Sequence, residues 1–170
     1  RVAGLMSSIF GLINGAFSAI SDALVIADVN LDGGPKWLMG ILGTAVGAAA
    51  TGLRPVAELM FIDFLGVCLD PLLNQAAKLP FMTGGNARMA LTVRTQFGAG
   101  RSSGSQHSQS LEALLAHIPG LTVVMPSTPA DTYGLLRAAI QDPNPIVFIE
   151  NRLLYGTKGP QPPADHIVPI

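Results

Sequence analysis

The sequence predicts an α/β domain: a doubly wound, mainly parallel sheet flanked by helices. Short apolar runs without polar alternation are typical of strands that are buried on both faces. Longer segments with helical periodicity separate these runs, and strands that alternate with helices form parallel sheets with helices on both sides. The length of 170 residues is sufficient for one domain with a hydrophobic core.

The first predicted element is a helix within residues 2–20. Apolar residues recur there at three- and four-residue spacing, and Asn14 and several glycines interrupt the run. This pattern favours a packed helix over a signal peptide or a membrane span. The run at 23–29 then predicts the first strand.

The same alternation continues to residue 150. The segment 39–50 is rich in alanine and carries three glycines, which predicts a helix that a neighbouring element can approach closely. Thr128 or Asp131 is suited to capping a later helix that ends at Ile140. The remaining elements are a strand (55–60), a helix (64–78), strands at 90–94 and 121–125, and a last strand (145–150).

Composition excludes several classes of function. Charged residues make up only 12% of the chain and the net charge is −1, so no basic surface for nucleic acid is expected. Such a weakly charged surface predicts burial against another subunit. The single cysteine, Cys68, excludes an internal disulfide and fits a cytoplasmic protein.

The polar stretch at 96–110 is too long for a simple connector, and long loops inside compact domains are often functional. Its glycine-rich part, Gly98 to Gly104, could hold a phosphate through backbone N–H groups. The spacing matches neither a dinucleotide motif nor a P-loop, however. We therefore favour a flexible or lid-like loop whose glycines serve backbone geometry.

Three histidines differ in their candidate roles. His107 ends the polar loop, where it could either reach a ligand above the sheet edge or order the loop by hydrogen bonding. No G-x-S-x-G motif supports a hydrolase. His117 is expected to close a helix, and His166 is expected to be solvated in the proline-rich tail.

Glu58 and Asp63 form a candidate acidic pair at the end of the second predicted strand. A buried carboxylate there could serve as a base. It could equally bind backbone amides or an arginine such as Arg54, and the structural interpretation is favoured because buried charges are normally paired.

Long stretches of the sequence resemble one family, the beta subunits of thiamine-diphosphate-dependent 2-oxo acid dehydrogenases. Within that family, ELMFIDFLGVCLD (58–70) is more similar to acetoin dehydrogenase beta chains than to others. The resembling stretches are GAAATGLRPVAELMFIDFL (47–65), NQAAK (74–78), QHSQSLEA (106–113), HIPGLTVVMPSTPAD (117–131) and ENRLLYGTKG (150–159).

The resemblance implies a shared cofactor. Residues 1–155 would form a transketolase-like pyrimidine-binding domain, and 156–170 a linker or arm toward a carboxyl-terminal domain. An alpha subunit would bind magnesium and the diphosphate of thiamine diphosphate, since no Gly-Asp-Gly motif occurs here. A second beta subunit would complete a heterotetramer, with a lipoyl-bearing acyltransferase as a further partner. No nucleic acid or membrane partner is expected.

The resemblance also implies roles for individual residues. Phe64 would stack on the aminopyrimidine, Met60 would lie beside it, and His107 would be the active-site histidine. An aromatic face suits a flat heterocycle. A structural potassium site is implied at Leu91, Ala139, Asp142 and Asn144.

One position departs from the family pattern. Leu38 stands where the family has a glutamate that hydrogen-bonds a pyrimidine nitrogen and promotes ionisation of the cofactor. A leucine neither donates nor accepts a hydrogen bond. The expected function is therefore a subunit that cleaves acetoin and passes a two-carbon unit to lipoamide, or a pyruvate or other 2-oxo acid dehydrogenase subunit, or a catalytically impaired assembly domain.

Overall fold

The computed structural model describes residues 36–100 and 102–170, and within them it shows a parallel sheet. The predicted helix at 2–20 and strand at 23–29 lie outside the described residues. All neighbouring strands are parallel, in the order β1-β2-β4-β3. The strands are β1 (Val56–Leu59), β2 (Thr92–Phe97), β3 (Thr122–Val124) and β4 (Ile146–Asn151).

The helices alternate with these strands, which confirms the predicted fold class. They are α1 (Lys36–Ala50), α2 (Leu65–Asp70), α3 (Leu79–Met82), α4 (Glu112–Ala116) and α5 (Pro129–Gln141). None of the helices in the described part of the chain is both long and apolar enough to cross a membrane.

The predicted helix at 64–78 is divided at Pro71. Proline has no backbone N–H, so it cannot donate the hydrogen bond that continues an α-helix. After α2 the chain forms a wider π-helical segment, Pro71–Ala76, in which the N–H of Ala77 bonds the carbonyl of Leu72 at 3.0 Å. The backbone therefore stays helical with a changed register.

The sheet is covered on both faces. The larger hydrophobic cluster joins α1, α2 and the π-helical segment to strand residues such as Leu59 and Val93. On the opposite face α5 covers Phe148 and Val124 through Ala139. This two-sided covering is what makes the strands continuously apolar.

Three local predictions gain detail from the structure. Strand β2 runs to Phe97, so residues 96 and 97 belong to the sheet rather than to the loop. Thr128 is the N-cap of α5, since its Oγ1 accepts a hydrogen bond from the Asp131 N–H at 3.1 Å. His117 is the C-cap of α4, which confirms its predicted place.

The tail after residue 156 packs on α5, and the prediction for His166 was wrong. The Tyr133 hydroxyl donates to the Ala164 carbonyl at 3.0 Å. His166 lies against Gly134 with its Nε2 buried, because glycine leaves room for the ring at that point of the helix. The boundary between a domain at 1–155 and an arm at 156–170 stays a prediction.

Candidate functional site

Three segments meet at the carboxyl edge of the sheet. Met60 and a 3₁₀ turn (Ile62–Phe64) follow β1, the described loop residues 102–110 follow β2, and a second 3₁₀ turn (Arg152–Gly156) follows β4. Residues 102–110 are called the site loop below. Because parallel strands end at one edge, these segments come together there, as is usual for ligand sites of doubly wound domains.

Phe61, Phe64 and His107 form an aromatic cluster at this edge. The ring centroids of Phe64 and His107 are 5.5 Å apart, and those of Phe61 and His107 are 4.8 Å apart. The two phenylalanine rings lie 5.7 Å apart. All three contacts are edge-to-face, a favourable arrangement for aromatic rings. Two predicted site residues, Phe64 and His107, are thus in contact.

Leu38 and Met60 belong to the hydrophobic core or pack against it. Leu38, in the first turn of α1, is 3% exposed and belongs to the hydrophobic core. Met60 and Phe64 are partly buried and pack against that same core. Phe64 and His107 are therefore in contact, Met60 and Phe64 pack on the core that contains Leu38, and a common site for positions 38, 60, 64 and 107 stays a prediction.

The glycines of the loop have the geometric role that the sequence predicts. Gly98 and Gly104 have φ values of 95° and 81°, a left-handed backbone that favours glycine. The N–H of Gly98 donates to the carbonyl of Gln109 at 3.1 Å, which joins the two ends of the loop. These glycines therefore shape a loop with closely spaced ends.

Glu58 and Asp63 do not act as a pair. The Asp63 Oδ1 accepts hydrogen bonds from the backbone N–H groups of Ser108 at 3.1 Å and Gln109 at 2.9 Å. The Glu58 side chain is 52% exposed, and its Oε2 lies 3.8 Å from the Nη1 of Arg94. The structural interpretation of these carboxylates is confirmed, although the arginine partner is Arg94 rather than Arg54.

Arg152 is a site residue that sequence reasoning missed. It is only 4% exposed, and its guanidinium carbon lies 4.9 Å from the centre of the Phe61 ring. Its Nη1 donates to the Ser103 Oγ at 3.0 Å, and its Nη2 donates to the His107 carbonyl. Its position two residues after the last predicted strand (145–150) was the available signal.

A second set of polar side chains, Arg94, Glu150 and Tyr155, links β2 to β4 and to the turn that follows β4. Arg94 donates two hydrogen bonds to the Glu150 carboxylate, at 2.8 and 3.0 Å, in the bidentate geometry typical of strong pairs. The Tyr155 hydroxyl donates to the same carboxylate at 2.6 Å. Partial burial and the neighbouring Glu150 raise the pKa of Tyr155.

The proposed potassium residues lie at the opposite, amino edge. The Leu91 carbonyl accepts from the Ile146 N–H at 2.8 Å, and the Ala139 carbonyl accepts from the Thr92 hydroxyl at 3.1 Å. The Asp142 Oδ1 accepts from the Asn144 N–H at 2.8 Å. The carbonyl groups therefore cluster between the start of two strands and the end of α5.

A cation of the protein already reaches this amino-edge cluster. Arg54 Nη1 donates to the carbonyls of Ile140 and Asp142, each at 3.1 Å. Carbonyl oxygens at a helix end suit a positive charge. Within residues 36–100 and 102–170, no group of three or more His, Cys, Asp or Glu side chains is arranged to hold a metal.

An open cavity of about 380 Å³ lies at the β3 side of the carboxyl edge. Phe97, Met125, Ser127, Asn151 and Leu153 contribute to its walls. Met125 and Leu153 are substantially exposed. The cavity is mainly apolar and did not follow from any sequence pattern.

The parallel sheet and its helices define the class of protein, a doubly wound α/β domain, in which ligand sites usually lie at the carboxyl ends of the strands. The family model of the transketolase pyrimidine binding domain matches residues 39–158. The chain belongs to that family. Leu38 lies immediately before the matched residues.

Similar curated relatives are beta subunits of oxidoreductases and dehydrogenases. The chain is 53% identical over 129 residues to the beta subunit of an acetoin:2,6-dichlorophenolindophenol oxidoreductase from Cupriavidus necator, covering 76% of this chain and 38% of the relative. A Bacillus subtilis subunit of the same name is 50% identical, with 77% and 38% covered. The beta subunit of the pyruvate dehydrogenase E1 component from Rhizobium meliloti is 47% identical, with 76% and 28% covered.

The chain thus spans less than two-fifths of the length of these relatives. A solved structure described as a split gene transketolase, inactive beta4 tetramer, has a TM-score of 0.66 at 17% identity. The match covers 89% of this chain and 52% of that one. This likeness establishes the fold.

Proposed function

We propose that this chain is the pyrimidine-binding part of the beta subunit of a thiamine-diphosphate-dependent acetoin dehydrogenase. Such an enzyme cleaves acetoin and passes the two-carbon unit to lipoamide. The observation that carries the proposal is the contact between Phe64 and His107 at the carboxyl edge, 5.5 Å between ring centroids. The high identity to two acetoin-oxidising subunits supports the choice of substrate.

The residues of the aromatic cluster fit one face of a flat heterocycle. Phe64 is partly buried and supplies an aromatic surface, and Met60 packs beside the same core. His107 would hold or move a proton at the substrate oxygen, since an imidazole ring can both donate and accept a hydrogen bond. When bound, thiamine diphosphate supplies the electron sink that carbon–carbon cleavage requires.

The position of Leu38 does not fit the activation of that heterocycle. Its side chain is buried in the hydrophobic core and has no polar atom. A glutamate at this position would supply the carboxylate that the family resemblance assigns to activation of the cofactor. This observation favours a second candidate, a domain that assembles with partners and has impaired catalysis.

Restoring the carboxylate tests the second candidate, in which Leu38 is the cause of the impaired catalysis. We expect Leu38→Glu to raise acetoin-dependent reduction of 2,6-dichlorophenolindophenol by about 10²–10⁴-fold, measured after reconstitution with the alpha subunit of an acetoin-oxidising relative. Leu38→Gln is the matched control, because its amide cannot carry the carboxylate's charge. An equal gain in both variants, or none in either, would contradict the assigned role of position 38.

A pyruvate or other 2-oxo acid dehydrogenase is the alternative with the same chemistry, and the 47% identity to a pyruvate dehydrogenase subunit supports it. The reconstituted complex should oxidise acetoin with a higher kcat/KM than pyruvate. A preference for pyruvate would overturn the proposed substrate and leave the cofactor assignment in place.

The proposed partners complete the cofactor site. An alpha subunit would supply magnesium and the diphosphate contacts, a second beta subunit would extend the assembly, and a lipoyl-bearing acyltransferase would accept the product. Exposed Met125 and Leu153 at the carboxyl edge provide apolar surface that a partner subunit would bury. We place the assembly in the cytoplasm.

A further inference from the structure

The site loop is held from two sides by charged side chains that are not catalytic in the proposed reaction. Asp63 binds the loop backbone just after His107, and Arg152 binds it at Ser103 and at His107 itself. The two side chains come from different strands, since Asp63 follows β1 and Arg152 follows β4. The loop between them follows β2, the strand that lies between these two in the sheet.

Asp63 couples the loop to the phenylalanine rings. It lies in the 3₁₀ turn between Phe61 and Phe64, so the turn that presents both rings also presents the carboxylate. One oxygen accepts two consecutive backbone N–H groups, which fixes the path of the chain at residues 108 and 109. Hydrogen bonds to a charged group are stronger than neutral ones. The distance between His107 and the rings therefore depends on this carboxylate.

Arg152 supplies the second constraint. Its guanidinium packs over Phe61 while two of its nitrogens donate to the loop, one of them to the carbonyl of His107. The planar guanidinium can stack and donate in different directions at once. A single buried side chain thus links the backbone of His107 to the ring that contacts its imidazole.

We propose that Asp63 and Arg152 are positioning residues that together hold His107 between Phe61 and Phe64. The catalytic consequence of this positioning rests on the role that the proposed function gives to His107. The geometry itself concerns only the arrangement of the site loop and the aromatic cluster.

The test is an NMR measurement on the full 170-residue chain. The ring protons of His107 experience the ring currents of two phenylalanines, whereas exposed His117 provides an internal reference. The variants are Asp63→Ala and Arg152→Met, with the conservative pair Asp63→Asn and Arg152→Lys. Thr128→Ala, which removes the N-cap of α5, is the control for general loss of stability.

We expect the His107 signals to move toward those of His117 in Asp63→Ala and in Arg152→Met. Asp63→Asn should keep most of the native shift, because its amide oxygen still accepts both N–H groups. Thr128→Ala should lower the Tm without moving the His107 signals. Unchanged His107 signals in the Ala and Met variants would refute the proposal. If Asp63→Ala or Arg152→Met does not fold, Asp63→Leu or Arg152→Leu, which also lacks the hydrogen-bonding group, decides by the same criterion.

Activity is measured separately. In the complex reconstituted with Leu38→Glu, we expect the kcat for acetoin to fall by about 10²-fold when Asp63→Ala is added, with KM changed by less than about twofold, because a displacement near 1 Å at the reacting groups has that effect. Displaced signals with an unchanged kcat would support the positioning and contradict the proposed role of His107. An inactive complex with Leu38→Glu would count against the proposed function only, since the NMR result does not depend on turnover.

Discussion

Arg54 and Arg152 make similar contacts at opposite edges of the sheet. Each donates to backbone carbonyls, Arg54 at Ile140 and Asp142 and Arg152 at His107. Arg54 lies at the amino edge, where its partners are the terminal carbonyls of α5. Arg152 lies at the carboxyl edge, is almost fully buried, and contacts the loop that carries the candidate catalytic residue.

The comparison suggests a rule for this sheet: the edge at which an arginine binds backbone carbonyls determines whether it affects stability or activity. At the amino edge of a parallel sheet the chain returns from helices, so polar groups there satisfy helix ends. At the carboxyl edge the chain leaves the strands in loops, and ligand sites form among those loops. We therefore expect the amino edge to influence stability and the carboxyl edge to influence activity.

The largest expected effect lies at the carboxyl edge. His107→Ala should lower acetoin-dependent dye reduction in a complex with measurable turnover, such as one containing Leu38→Glu, by about 10²–10⁴-fold. The midpoint of thermal unfolding should change little, because His107 lies outside the main hydrophobic core. Steady-state kinetics and thermal denaturation check the two parts. A variant with full turnover would show that the histidine only orders the loop.

Arg54→Met should have the opposite result: it should lower the stability of the protein and leave its turnover nearly unchanged. Loss of the charged hydrogen bonds to two helix-terminal carbonyls should reduce the free energy of unfolding by about 1.5–3 kcal/mol. The turnover of the same reconstituted complex should stay within about twofold of its value before the substitution. Urea denaturation measures the first quantity. A large loss of turnover at unchanged stability would break the distinction between the two edges.

The effect of potassium on the Tm tests the predicted cation site at the amino edge. If carbonyls near Leu91, Ala139, Asp142 and Asn144 bind K⁺, replacing Na⁺ by K⁺ should raise the Tm by about 2–4 °C, equivalent to about 1 kcal/mol. Arg54→Met should increase this response, because it removes a competing cation from the same carbonyls. Equal Tm values in the two salts, in both proteins, would exclude the potassium site.

The smallest expected effect on stability at neutral pH comes from the thiol of Cys68, which is buried in α2. Burial raises the pKa of its thiol to about 11 from 9.0, so the thiol stays protonated in the folded protein up to strongly alkaline pH. In the unfolded chain it ionises near 9, and this contribution to stability is therefore present below pH 9 and lost as pH rises toward 11.

Alkylation of the single cysteine measures this directly. At pH 8 the native protein should react at least about 100-fold more slowly than the urea-unfolded chain, because only the thiolate is nucleophilic. Comparable rates in the two states would show that Cys68 is accessible and normally ionised.

The sequence predicted much of this arrangement because its strongest signals are local. Apolar runs located all four described strands within a few residues, and the parallel topology followed from their alternation with helices. The change to π-helical geometry at Pro71 could not be predicted from the sequence, because the apolar residues have the same spacing in a broken helix and in a helix of altered register. His166 was misassigned because its packing partner, Gly134, lies far away along the chain.

By itself, the sequence determined the fold class, the family resemblance and the candidate roles of Phe64 and His107. The tertiary structure alone decided which charged residues serve that site. Asp63 and Arg152 are separated by 89 positions along the chain. Asp63 bonds backbone N–H groups, and Arg152 bonds the backbone carbonyl of His107 and the hydroxyl of Ser103, rather than an oppositely charged side chain. Backbone atoms are the same at every residue, so a contact to them leaves no pattern in the sequence.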